Sequence, residues 1–280
     1  MSLKTNEHAF WFRGSTMVMG GRIVSPVCDN IDAQGACVLP PMGGFAATSI
    51  GRFDYKNIVG FERATSTVSG QKVTHDGITS GDTLVTVAIE GLNILDVITA
   101  DRVVARMTST HAEKKKGSEP EALPFGSHFE NLRIGGVPVE LGPYAELMCA
   151  EGNTYRKLIQ ARPHRSDPSE NFPWIDSNGA PIDCVEAQEG PNPGMPISTL
   201  DPTLLAPLFN LDKKRATLPA GCTRSGKHGI VIPGFGVAYF GEYLVTRASR
   251  RLTMLRIELG CPITGRIVCA NVDCNGHWDP

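Results

Sequence analysis

From Thr83 the chain reads TLVTVAIEGLNILDVITADRVVARM, its longest nearly uncharged stretch. Val85, Val87, Ile89, Ile94, Val97, Ile98, Val103 and Val104 are β-branched, which suits a pleated, half-buried surface better than a helix. Val103, Ala105 and Met107 alternate with Val104 and Arg106, the two-residue period of a strand, and Gly91 divides the run. The stretch is read as the central strands of an all-β domain.

The flanking segments carry the same period. HAFWFR (His8 to Arg13) and STMVMGGRIV (Ser15 to Val24) are expected to form a first strand pair, with Gly14 and Gly20-Gly21 giving bends. Phe45 to Phe53 is a short strand. Ile58 to Ser69 alternates and returns through a turn near Thr74–Gly77 into the central run, making a long hairpin. His128 to Ile134 sets Phe129, Asn131 and Arg133 against Glu130, Leu132 and Ile134. Gly135-Gly136 then supplies the positive φ angles of a two-residue turn. Further strands are expected at His228–Ile232, Gly236–Arg247, Arg251–Leu259 and Ile263–Val272. The fold expected is an antiparallel β-sandwich or two-sheet barrel, one domain over residues 1–280.

Two segments break the pattern. Ala145 to Arg162 is the best helix candidate, and Asp201 to Asn210 is expected to form a short helix, with Asp201 as cap and Pro202 in its first turn. Residues 163–226 are rich in Pro, Gly, Asp, Asn and Ser, and their prolines forbid long elements. This stretch is read as one irregular insertion, a lid or a partner-contacting arm.

Composition narrows the function classes. The 280 residues carry a net charge of -2 and are 20% charged, so no global field recruits nucleic acid or anionic membrane. No window has the 18 or more apolar residues of a spanning helix. The polar start, Met1 to His8, shows no signal-peptide pattern. The protein is expected in the cytoplasm if the chain is full length, and outside the cell or on its surface if the chain is a mature form. Of the eight cysteines, Cys28 and Cys37 flank one loop, and Cys269 and Cys274 flank another. Both spacings suit a hairpin disulfide in an oxidising compartment, or else free thiols.

Three stretches, GLNILDVITADRVVAR, SHFENLRIGGVPVEL and VIPGFGVAYFGEYLVTRASRRLTMLRIEL, over roughly residues 84–260, resemble in their order the bacterial choice-of-anchor P family. That family tends to carry GLSLLGGLVTADAVTA, an NGQPV hairpin, LPGxGTVTLNEQ and LTVNALHV. The counterparts are Gly91–Ala105, Asn131–Val139, Ile232–Gly241 and Leu252–Leu259. The resemblance implies a secreted or surface-associated β protein with no catalytic residues to carry over. This chain differs in its start and in the 163–226 insertion.

The candidate chemistry is sparse. GCTRSGKH (Gly221 to His228) nearly spells a phosphate loop, but it ends in His228 where a hydroxyl should hold magnesium and enters a strand instead of a helix. Cys269, Cys274 and His277, with Cys261 upstream, give only one pair with ordinary zinc spacing. Asp29, Asn30 and Asp32 offer oxygen ligands, although such residues in turns usually bond their own backbone. Glu90, Asp96 and Asp101 punctuate the central strands; paired carboxylates would serve glycoside hydrolysis, yet they ordinarily mark strand ends. Arg247, Arg250 and Arg251 suggest a small basic patch, with Arg256 close by, read first as a salt-bridge surface. Trp174 and Phe172, with Asp176, are the candidate ligand-binding group in the insertion, an aromatic pair suited to a sugar or a partner. No catalytic residue, metal or cofactor is expected. The function expected is a non-enzymatic structural or interaction protein, associating with itself or a protein partner; the alternative is a carbohydrate-binding or glycan-hydrolysing module.

Overall fold

A two-residue turn with φ positive at both central residues matches the twist of the strands it joins. The chain uses it at Lys56–Asn57, Asp76–Gly77, Leu95–Asp96 and Gly135–Gly136, so neighbouring runs pair antiparallel. The computed structural model describes residues 9–113, 120–143, 147, 154–155, 204–211, 218–225, 228–246, 249–260 and 262–279. Within them the strands are, first, β1 (Phe10–Ser25), β2 (Asp29–Gln34), β3 (Cys37–Val38), β4 (Gly44–Ile50), β5 (Phe53–Tyr55), β6 (Val59–Phe61) and β7 (Arg63–His75). Next come β8 (Ile78–Ile94), β9 (Ile98–Ala112), β10 (Glu121–Leu123), β11 (His128–Glu130), β12 (Arg133–Ile134), β13 (Val137–Pro138) and β14 (Gly142–Pro143). The last are β15 (Leu204–Pro207), β16 (Phe209–Asn210), β17 (Thr223–Ser225), β18 (Gly229–Ile232), β19 (Gly236–Val245), β20 (Arg250–Gly260) and β21 (Thr264–Trp278).

They form two open antiparallel sheets rather than a closed barrel. The nine-stranded terminal sheet runs β17-β18-β19-β20-β21-β1-β2, with β15 on β19 and β3 on β1. The ten-stranded central sheet runs from β4 through β7, β8 and β9; β10, β11 and β12 pair with β9, β13 with β12, β6 with the end of β8, and β5 with β6. β14 and β16 make a small pair. The expected all-β sandwich is therefore the fold, with the Leu84–Met107 run at the middle of one sheet.

The sheets share one core. Val85, Val87, Ile89, Val103 and Met107 on one side, and Met19, Phe240, Leu255, Ile257 and Val272 on the other, are fully buried. Two glycines permit the close approach. A Cβ on Gly81 would lie 2.4 Å from the Phe10 ring, and one on Gly70 would lie 2.6 Å from the Phe12 ring. Thr16 and Ser66 bridge the sheets through a 2.8 Å hydroxyl pair.

Three expectations are corrected. The N-terminal segment is the single strand β1, because Gly14 serves packing against Val85 and not a bend. The helix expected over Asp201–Asn210 is not found in its described part, residues 204–210: Leu204–Pro207 extends along β19, where ladder pairing outweighs local preference, and Phe209–Asn210 is β16. The 163–226 stretch is accordingly not irregular throughout, since β15, β16 and β17 fall in it. The helix expected over Ala145–Arg162, Leu147, Thr154 and Tyr155 apart, lies outside the described residues.

Each sheet contains a line of residues where side-chain alternation reverses. In β8, Val85, Val87 and Ile89 are buried before Gly91, and Leu92 and Ile94 after it. The Gly91–Asp101 pair is missing from an otherwise continuous β8–β9 ladder. By register, Glu62 and Arg52 continue this row to one side and Asn131 to the other. In the terminal sheet the row runs Gly35, Val18, Ala270, Met254, Gly241, each absent from its ladder. φ is positive on alternate strands of the terminal row, at Gly35, Ala270 and Gly241, and at Gly91 and Asn131 in the central row. A left-handed residue rotates the chain so that the following side chains change face. Because neighbouring strands reverse at the same level, the register survives.

Candidate functional site

The reversal in the central sheet makes a cleft. Val59 and Phe61 are buried on the core face, and Phe61 stacks on Phe53 at 5.4 Å, so alternation sends Asp54 and Gly60 to the outer face. Asn93 reaches that face because the reversal at Gly91 turned Leu92 and Ile94 inward. The result is a polar dish of about 550 Å³ with Gly60 and Gly91 in its floor and Arg52, Asp54, Glu62, Asn93 and Asp96 around it.

Two local devices hold its walls. Asn93 Nδ2 donates to Asp96 Oδ1 at 2.6 Å and the Asp96 amide returns a bond to Asn93 Oδ1 at 2.9 Å, closing the β8–β9 turn. The Asn57 amide donates to Asp54 Oδ1 at 3.1 Å in the β5–β6 turn. Outside the dish, Lys56 and Tyr55 both donate to Asp29 at 2.6 Å, tying this turn to β2. The bond from Lys56, then that from Tyr55, holds the Asp29 carboxyl below its usual range. The dish is rich in acceptors and has one guanidinium; its lining holds no hydroxyl, thiol or imidazole. Such acceptors suit a polyhydroxylated or cationic group, and carboxylates are also groups able to serve acid–base or nucleophilic work.

The second polar centre lies on the terminal sheet. The reversal at Gly241 turns Glu242 away from the core face on which Ala238 and Phe240 lie and sends Tyr243 inward, where its hydroxyl donates to the Ala122 carbonyl at 3.4 Å. Glu242 receives both Nε and Nη2 of Arg256 at 2.7 Å and lies 3.1 Å from His228 Nε2. Arg256 continues to Glu258 at 2.6 Å and covers the Tyr239 ring at 3.9 Å. His228 and Glu242 are buried. Burial opposes ionisation of Glu242, but the Arg256 and His228 bonds outweigh it and lower the carboxyl to about 2. It is a rigid ion cluster.

The sequence candidates are distributed as follows. Trp174, Phe172 and Asp176 lie outside the described residues. Of the carboxylates, Asp96 joins the dish, whereas Glu90 pairs with Arg63 and Asp101 accepts from Asn131. Cys28 and Cys37 are free thiols, one exposed and one buried. Cys269 and Cys274 do not flank a hairpin: both are buried in the one strand β21, and five strand residues span about 16 Å, beyond disulfide reach. Burial pushes the Cys269 thiol up to about 12 and that of Cys274 higher still. His277 is exposed, and no metal-holding cluster occurs among the described residues. Arg247 lies outside the described residues, and the described arginines do not make a patch. Arg250 is fully buried and donates to the Thr246 and Ser249 carbonyls, Arg251 pairs with Asp273, and Arg256 belongs to the ion cluster. Sequence reasoning passed over Asp54, Glu62, Asn93 and Glu242; the one signal was Gly91 inside an apolar run.

Fold and site define an open two-sheet antiparallel β-sandwich with a glycine-floored polar dish on one outer face. The chain belongs to the family described as "Domain of unknown function (DUF8256)", whose pattern matches residues 10–177. The match takes in β1 and the whole central sheet, while β21, which pairs along the length of β1, lies beyond it. No curated protein and no solved structure matches. No helix among the described residues is long and apolar enough to cross a membrane.

Proposed function

We propose that this is a non-enzymatic structural or interaction protein that works by association through a sheet edge. The observation that carries the reading is a difference between edges. Unpaired strand edges template association unless they are short, charged or proline-bearing. β2 carries Asp29 and Asp32, β15 ends in Pro207, β17 is three residues long and contains Arg224, and β13 has two residues and ends in Pro138. β4 is seven residues, Gly-Phe-Ala-Ala-Thr-Ser-Ile, with no charge and no proline. The choice-of-anchor P resemblance, with no catalytic residues to transfer, supports the same reading. Light scattering and negative-stain imaging of the purified chain at low and high concentration test it. Defined oligomers or ordered polymers are expected, and a strict monomer throughout removes it.

A second reading, a carbohydrate-binding module, is favoured by the acceptor-rich dish. On this reading Asn93→Ala abolishes binding to a glycan array hit; a silent array disposes of it.

A further inference from the structure

β4 pairs with β7 on one side only, from Gly44 opposite Gly70 to Ile50 opposite Ala64. In an antiparallel ladder the backbone groups of alternate residues point away from the partner, and among the described residues no second strand takes those of β4. The apolar side chains on it and on the turn leading into it are open to solvent: Met42 is 71% exposed and Phe45 67%.

We infer that β4 pairs antiparallel with β4 of a second copy of this chain, around a two-fold axis midway between the two Ala47 residues, and joins the two central sheets into one. This rests on the association reading above and names its partner and register. A two-fold axis relating antiparallel edge strands runs perpendicular to the sheet and midway between them, so directly opposed residues share a face and one residue faces its own copy across the axis. Ala47 is the middle residue of Gly44–Ile50, so this register alone overlaps the whole strand. It sets Gly44 opposite Ile50, Phe45 opposite Ser49, Ala46 opposite Thr48 and Ala47 opposite Ala47. Every unlike pair matches a larger side chain with a smaller one, and no pair opposes like charges, the usual penalty at such an edge. Faces agree as well: Ala46 and Ile50 pack on the core, which leaves Phe45, Ala47 and Ser49 together on the other side. The contact is isologous and closes at two copies, whereas a heterologous pairing would propagate.

The test uses the full chain and two substitutions at the axis. Mass by light scattering over about a hundredfold dilution should show a dimer that dissociates, as association equilibria do. Ala47→Lys, at an exposed position, sets two ammonium groups against each other and should weaken the dimer at least about tenfold. Its circular dichroism and melting as a monomer should remain those of the parent. Ala47→Cys should give a disulfide-linked dimer under mild oxidation, because opposed Cα atoms about 4.5–5.5 Å apart are within bridging distance. Ser49→Cys, opposite Phe45, should not. A folded Ala47→Lys variant that stays dimeric overturns this register and leaves the association reading standing. A parent chain that is monomeric at every concentration overturns both.

Discussion

The two sheets use the same device and reach opposite ends with it. In the terminal sheet the alternation reverses along Gly35, Val18, Ala270, Met254 and Gly241, and the residue it turns outward, Glu242, is then buried in a bidentate ion cluster. In the central sheet it reverses along Arg52, Glu62, Gly91, Asp101 and Asn131, and the side chains it turns outward surround an open dish. The terminal sheet turns its irregular row to rigidity and keeps its edges short or charged. The central sheet leaves both its row and its β4 edge exposed. Binding and association are therefore sought on the central sheet, and stability effects of polar substitutions on the terminal one.

The comparison breaks most completely if the core beneath both rows is lost. Val103, fully buried in β9, changed to Asp would leave an unpaired charge between the sheets and should destabilise by about 4 kcal/mol or more. Wild-type-like melting of this variant would contradict the central-strand assignment. Glu242→Gln breaks a buried pair and should cost about 3 kcal/mol, read by denaturant unfolding; Asp54→Asn, at the exposed dish, should change stability by less than about 0.5 kcal/mol.

Acid sharpens the same contrast. The Glu242 carboxyl lies at about 2 in the fold against an ordinary 4.5, so its contribution is complete above about 4.5 and is lost as pH falls from there toward 2. Melting temperature against pH should drop more steeply through that window for the parent than for Glu242→Gln. Equal slopes would show that the cluster holds no charge. A pair of glycine substitutions distinguishes the rows directly. Alanine at a positive φ costs about 1–2 kcal/mol. At Gly91 the added Cβ would lie 2.6 Å from Glu62 Cγ, on an exposed side chain, whereas at Gly241 it would lie 2.4 Å from the buried Phe209 ring. Gly241→Ala should therefore be the more destabilising of the two by about 1 kcal/mol in matched melts.

Of the candidate site, sequence showed Asp96 and the break at Gly91, but not that Asp54, Glu62 and Asn93 converge there. They lie on β5, beside β6 and on β8, and only the ladder places them side by side. Alternation counted from Ile58 assigns Arg63 to the face of Val59 and Phe61; the reversal at Glu62 puts Ala64 there instead. A two-residue period carries no mark of the residue at which it changes phase. Glu242 was invisible for the same reason, since the count from Ala238 and Phe240 aims it into the core.

What the chain determined by itself is local. β-Branched alternation fixed the strands, and Asp76-Gly77 and Gly135-Gly136 fixed hairpins, because φ preference and side-chain period act over a few residues. Tertiary structure decided the rest. It made Leu204–Pro207 a strand through the β19 ladder, left Cys269 and Cys274 apart on one strand, buried Arg250, and chose which edge stays open. Those outcomes depend on which segments meet, and that is set by the packing of two whole sheets and not by any stretch of sequence within them.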